Sequence, residues 1–116
     1  MNIAKRSAKN PILTPDKKAS WESEAAFNGC PVLSKGVIHF VYRAVSVPEI
    51  YKGKEMKISS IGYAVSTNGM RFTHRRQLIK PEFDWEQFGC EDPRITKLGN
   101  KFYIFYTALS SFPFSA

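Results

Sequence analysis

The chain has 116 residues, a formal net charge of +7 and a composition that is 43% hydrophobic, 14% aromatic and 23% charged. That is enough apolar material for one small domain, and the composition is globular, not that of a disordered chain. The basic residues fall in short groups, Lys5-Arg6, Lys17-Lys18 and His74-Arg75-Arg76, with no basic helix and no aromatic-basic interleaving, so a nucleic-acid partner is not expected.

No apolar run reaches the length of a membrane span, and the opening Met1 to Arg6 lacks the apolar core of a signal peptide. A cytoplasmic location and no membrane partner are therefore expected. Cys30 and Cys90 form no CxxC pair and no Cys/His ligand spacing, so no metal or cofactor is expected, and of a disulfide and two buried free thiols the thiols are favoured.

Residues 1–20 are polar and basic, with turn signals at Asn10-Pro11 and Thr14-Pro15-Asp16, and read as a lead-in segment on the surface. Trp21 to Phe27 reads as one helical turn or an irregular loop, and Asn28-Gly29-Cys30-Pro31 as a turn. Val37 to Val45 (VIHFVYRAV) is β-branched and aromatic and predicts a strand buried on both faces. Residues 46–57 read as a loop, and Ile58 to Val65 as the next strand. Asn68-Gly69 is a hairpin signal, because both residues take positive φ readily. Gln77 to Lys80 starts a short strand, 81–90 is an acidic-aromatic loop, and Ile95–Leu98 and Lys101–Ala108 form a hairpin around Gly99-Asn100.

The chain repeats itself. Phe40-Val41-Tyr42-Arg43-Ala44 matches Ile104-Phe105-Tyr106-Thr107-Ala108 at an offset of 64, and Pro31 parallels Pro93 at an offset of 62. A strand-rich unit at this spacing predicts four-stranded propeller blades, with repeats near 28–90 and 91–116, the second incomplete. A propeller needs at least four blades, so the expectation is a truncated chain with an open sheet edge, through which copies could associate.

Chemistry centres on Gly89-Cys90-Glu91-Asp92-Pro93-Arg94. Proline restricts the residue before it, which predicts an extended, rigidly aimed Asp92 suited to general-acid work. Positions i and i+2 of a strand share a face, which predicts Arg94 beside Asp92. A structural Asp-Arg pair at a strand start is the competing reading. Arg43 inside FVYRAV needs either a polar channel or an edge strand that lets it reach solvent. Asn28 sits in a turn, where Asn is common for backbone reasons. His39 reads as a core histidine and His74 as a solvated one. Only one acidic motif is well placed, whereas glycoside hydrolysis uses two carboxylates.

These segments, together with Asn10-Pro11-Ile12-Leu13, Trp21-Glu22, Ile61 to Ser66 and Asn68 to Phe72, resemble glycoside hydrolase family 130, the β-mannoside phosphorylases and β-1,2-mannosidases. The resemblance runs over nearly the whole chain. It implies an all-β, five-bladed β-propeller with its site in the central funnel, of which this chain covers about the first two blades as the N-terminal part of one catalytic domain. It implies an inverting reaction in which inorganic phosphate, a co-substrate, attacks the anomeric carbon of a β-mannoside oligosaccharide and releases α-mannose 1-phosphate. Asp92 is then the general acid, acting through a sugar hydroxyl. Asn28 and Arg43 hold the cleaved mannose, with Glu91 and Arg94 as further substrate-binding residues. Glu91 stands where some mannosyl-glucose phosphorylases carry an aromatic, which disfavours a glucose acceptor. The alternatives are an inverting β-1,2-mannosidase on the same scaffold and a non-catalytic carbohydrate-binding propeller. Residues that hold phosphate, or serve as a hydrolytic base, are expected beyond Ala116, so the chain alone is expected to be inactive.

Overall fold

The computed structural model describes residues 3–111 and 113. Strands β1 (Ala25–Ser34), β2 (Val37–Val45), β5 (Ser59–Ser66) and β6 (Thr73–Ile79) form a four-stranded sheet in the order β1-β2-β5-β6. Its three pairings are antiparallel. Strands β3 (Glu49–Tyr51) and β4 (Lys54–Met56) make a small hairpin between β2 and β5. After a 3-10 turn at Asp84–Glu86, β7 (Gly89–Leu98) and β8 (Lys101–Leu109) form a second antiparallel unit. The last expected residues, Phe112 and Phe114 to Ala116, lie outside the described residues.

Three local readings change. The Asn28-Gly29-Cys30-Pro31 turn lies inside β1, where it forms a bulge. The expected loop at 46–57 contains the β3–β4 hairpin, closed by Lys52-Gly53 at φ 50° and 79°. Ser34↔Val37 is closed in the same way by Lys35-Gly36 at φ 51° and 77°. Both are tight turns with positive φ at both central residues, a role that lysine fills here in place of Asn or Asp. The Asn68-Gly69 connection is longer than a two-residue hairpin turn. Val65 pairs with Thr73, and Asn68 Oδ1 accepts from the backbone N–H of Met70 and Arg71 at 2.9 and 3.0 Å.

The repeat has one register throughout. Ala25–Ser34 maps onto Gly89–Leu98 and Val37–Val45 onto Lys101–Leu109, at the same 64-residue offset that separates Asn28 from Asp92. The Pro31–Pro93 correspondence at 62 is therefore replaced. Asn28 is the counterpart of Asp92, and Trp21-Glu22 of Trp85-Glu86.

The core has two parts because β2 and β5 are buried on both faces. Val41, Ile61 and Cys90 are fully buried, and Cys30, Tyr63, Ile95, Ile104 and Tyr106 close around them, joining the first sheet to β7–β8. On the opposite face Tyr42, Ala44 and Ala64 are fully buried, covered by Trp21, Phe40, Phe72 and Leu13 from the lead-in segment. Each large side chain buried this way contributes about 1.5–3 kcal/mol. The Tyr42 ring lies over Gly62, its cross-strand partner, so closely that a Cβ there would stand 2.3 Å from Cζ.

Gly62→Ala should therefore force a shift of the Tyr42 ring or of β5, destabilising the fold by about 1–3 kcal/mol. Thermal unfolding followed by circular dichroism checks this: a lowered Tm is expected, and an unchanged Tm would show that the ring moves aside freely.

Candidate active site

The two bulges carry the polar residues. In β1 the pairing jumps from Phe27↔Arg43 to Cys30↔Val41, and in β7 from Glu91↔Thr107 to Arg94↔Phe105. One extra residue is thus inserted in each strand, with Asn28-Gly29 opposite Tyr42 and Asp92-Pro93 opposite Tyr106. Asn28 (φ 52°) and Asp92 (φ 49°) both adopt left-handed backbone, which their short polar side chains tolerate. Asp92 is therefore not extended, contrary to the expectation from Pro93. The bulge outweighs the local preference, and Pro93 is fully buried within it.

The bulges bring the two residues together. Asn28 Nδ2 donates to Asp92 Oδ1 at 2.7 Å. Arg43 reaches the same place from β2: its Nη1 lies 3.5 Å from Asp92 Oδ1, its Nη2 donates to Glu91 Oε1 at 2.5 Å, and its Nε donates to Ser59 Oγ at 3.0 Å. Its guanidinium carbon sits 5.1 Å from the centre of the Phe27 ring, a cation–π contact. Arg43 is not on an edge strand, since β2 is paired on both sides. Its cost within an apolar strand is offset by these four partners.

Four of the five expected site residues, Asn28, Arg43, Glu91 and Asp92, thus converge. Arg94 does not join them. The bulge breaks the i, i+2 relation, and Arg94 Nη1 donates to the Pro93 carbonyl at 2.7 Å from an exposed position. Glu91 is partly covered at 17% side-chain exposure and bonded through Oε1 to Arg43, whereas the Asp92 side chain is 43% exposed. Asp92 therefore combines a fixed carboxyl with an accessible oxygen, the arrangement a proton donor or acceptor requires. His39 is half-buried and not a core residue: its Nδ1 bonds to Tyr63 Oη at 2.7 Å, and its ring packs on the exposed Phe102. His74 is exposed. A groove of about 900 Å³ between the lead-in segment and β1 is lined by Asn28 but not by Arg43, Glu91 or Asp92, so the cluster borders it through Asn28 alone. Among the described residues no group of three or more His, Cys, Asp or Glu could hold a metal ion, and no helix is long and apolar enough to cross a membrane.

Sequence reasoning missed a second layer beneath the cluster. Glu22, 1% exposed, accepts from Tyr42 Oη at 2.8 Å and from Arg75 Nη2 at 2.7 Å. One repeat later Glu86, also 1% exposed, accepts from Tyr106 Oη at 3.1 Å and from Cys90 Sγ at 2.9 Å. Burial, and then the bonds to Glu86, push Cys90 far above the usual thiol range and raise Tyr106 to about 12. Burial and Glu22 raise Tyr42 similarly. The signal was present: the pairs Trp21-Glu22 and Trp85-Glu86 recur at the same offset as Tyr42 and Tyr106.

An all-β blade followed by the first strands of another, with its polar cluster on the bulged first strands, is part of a β-propeller. The chain belongs to glycoside hydrolase family 130: the family's profile, described as beta-1,4-mannooligosaccharide phosphorylase, matches residues 3–115. It is 41% identical over 108 residues to the beta-1,2-mannobiose phosphorylase of Thermoanaerobacter sp. strain X514, covering 88% of this chain and 36% of that protein. It is 37% identical over 105 residues to the 1,2-beta-oligomannan phosphorylase of the same organism, covering 89% of this chain and 35% of that protein. The fold matches a crystal structure of a glycosyl hydrolase from Bacteroides ovatus with a TM-score of 0.71 and 28% identity, over 87% of this chain and 33% of that one. The chain thus spans about a third of the length of its relatives.

Because the Tyr106 hydroxyl titrates at about 12 when folded and at 10.0 when free, the unfolded chain loses this proton first as pH rises. Its stabilising contribution is complete below about pH 10 and is lost as pH climbs towards 12. Ultraviolet titration of tyrosinate should show a late-ionising component, shared with Tyr42, that Tyr106→Phe lowers by one hydroxyl; a late component the variant leaves undiminished would contradict the bond to Glu86.

Proposed function

We propose that this chain supplies the mannose-binding wall and the general acid of a β-mannoside phosphorylase. The observation that carries this reading is the Asp92 carboxyl, steadied by Asn28 and Arg43 while remaining open on one side. The names of the relatives support the substrate class, with a β-1,2-linked mannobiose as the first choice.

In this reading Asn28 and Arg43 hold hydroxyls of the mannose being transferred, and Glu91 keeps the Arg43 fork oriented. Asp92 protonates the departing oxygen, through an intervening sugar hydroxyl. Inorganic phosphate attacks the anomeric carbon from the opposite face, so the β-linkage becomes α-mannose 1-phosphate and the freed sugar keeps the proton. Arg94, exposed beside the bulge, is available to an acceptor-side hydroxyl. Glu91 is already neutralised by Arg43 and is a poor candidate for activating water. A mannosidase on the same frame is the second reading, supported by the likeness to a glycosyl hydrolase, and it requires a base from outside these residues.

The test uses a polypeptide of the relatives' length that carries these residues, given β-1,2-mannobiose with and without phosphate. Phosphate-dependent mannose 1-phosphate is expected, and Asp92→Asn should lower kcat by at least about a hundredfold while sugar still binds. Phosphate-independent free mannose would replace the phosphorylase by the hydrolase. Unchanged turnover in Asp92→Asn would remove Asp92 from the acid role.

A further inference from the structure

We propose that Glu86 is a positioning residue for Asp92, acting through a buried Glu–Tyr latch that the fold uses once per repeat. This rests on the reading of Asp92 as the acid.

In each repeat a glutamate six residues before the bulge residue, Glu22 before Asn28 and Glu86 before Asp92, is buried to 1% exposure. In each, the glutamate accepts a hydrogen bond from the tyrosine that stands across the ladder from the bulge. A bulge interrupts the ladder, so the backbone pairing that would fix the strand is weakest where the polar residue sits. The latch restores a constraint there. In the second repeat Tyr106 lies next to Thr107, the partner of Glu91, and Cys90 lies directly before Glu91. Glu86 bonds to both Tyr106 and Cys90, and so ties the approach to β7 to the flanks of the Glu91–Asp92 pair. The turn that carries Glu86 is itself held: Tyr51 Oη donates to the Gln87 carbonyl, Gln87 Nε2 donates to the Ser110 carbonyl at 2.9 Å, and Phe88 N donates to the Leu109 carbonyl at 2.9 Å.

The two latches differ in what they aim. The first serves Asn28, a sugar-holding residue in this account, and the second serves Asp92, the acid. Loosening them should therefore disturb different kinetic parameters, which a general loss of folding would not do.

The experiment compares Tyr42→Phe, Tyr106→Phe, Glu86→Ala and Glu86→Gln in the relatives-length polypeptide, measuring phosphorolysis and amide hydrogen exchange. Glu86→Ala and Tyr106→Phe should lower kcat by about tenfold to about a hundredfold, with KM nearly unchanged. Tyr42→Phe should instead raise KM. Glu86→Gln keeps an acceptor oxygen and should retain kcat within about fivefold. Amides of Cys90, Glu91, Asp92 and Arg94 should exchange faster in Glu86→Ala, while those of β2 and β5 stay protected. A fall in kcat shared equally by Tyr42→Phe and Tyr106→Phe, or unchanged exchange at 90–94 in Glu86→Ala, would overturn the proposal. If the unaltered protein shows no phosphorolysis, the functional reading fails instead, and the exchange measurement still decides whether Glu86 holds the bulge.

Discussion

The structure depends on two bulges meeting. One extra residue in β1 and one in β7 turn Asn28 and Asp92 into left-handed backbone, and the neighbouring sheets then bring the two side chains to 2.7 Å. The offset between them equals the offset between the strands, so the contact is a consequence of one repeat unit being laid beside its copy. Arg43 completes it: a cation placed within an apolar strand finds its counter-charges because β7 delivers Glu91 and Asp92 to it. The apolar packing of Val41, Ile61 and Cys90 between the sheets is what sets that delivery.

The two buried glutamates are each held by a set of donors, although among the described residues Ser60 Oγ and Arg75 Nε are buried without a partner. Glu22 is balanced by the Arg75 guanidinium and the Tyr42 hydroxyl, whereas Glu86 receives only the neutral donors Cys90 and Tyr106 among the contacts described. The same backbone position thus carries a charge-paired carboxylate in one repeat and a neutrally solvated one in the next. Side-chain hydrogen bonds of this kind do little for net stability, but they strongly oppose alternative arrangements, because a broken one leaves a buried polar group unsatisfied.

Much of the fold was legible in the sequence. Val37–Val45 and the hairpin around Gly99-Asn100 follow from β-branched and aromatic runs and from a turn residue that favours positive φ. The repeat was legible in outline, but aligning Pro31 with Pro93 misplaced it by two residues. Proline marks a backbone restriction and not a structural equivalence, and the tryptophan-glutamate pairs were the better guide. The Lys-Gly turns were missed because lysine is not a usual turn residue, and β1 was missed because a bulge reads as a turn. Within the site, Asn28, Arg43, Glu91 and Asp92 were legible from chemistry and family resemblance together. The backbone of Asp92 and the place of Arg94 were not, since both depend on the inserted residue, which no spacing rule for a regular strand contains.

In the proposed function the Asn28–Arg43–Asp92 cluster is where a mannoside meets its acid. The most direct measurement is a crystal structure of the relatives-length protein with β-1,2-mannobiose bound. Mannose hydroxyls are expected on Asn28 and Arg43, with a hydroxyl or the glycosidic oxygen within about 3 Å of the Asp92 carboxyl. A disaccharide seated in the groove beside Arg6 and Pro11, with Asp92 untouched, would contradict it.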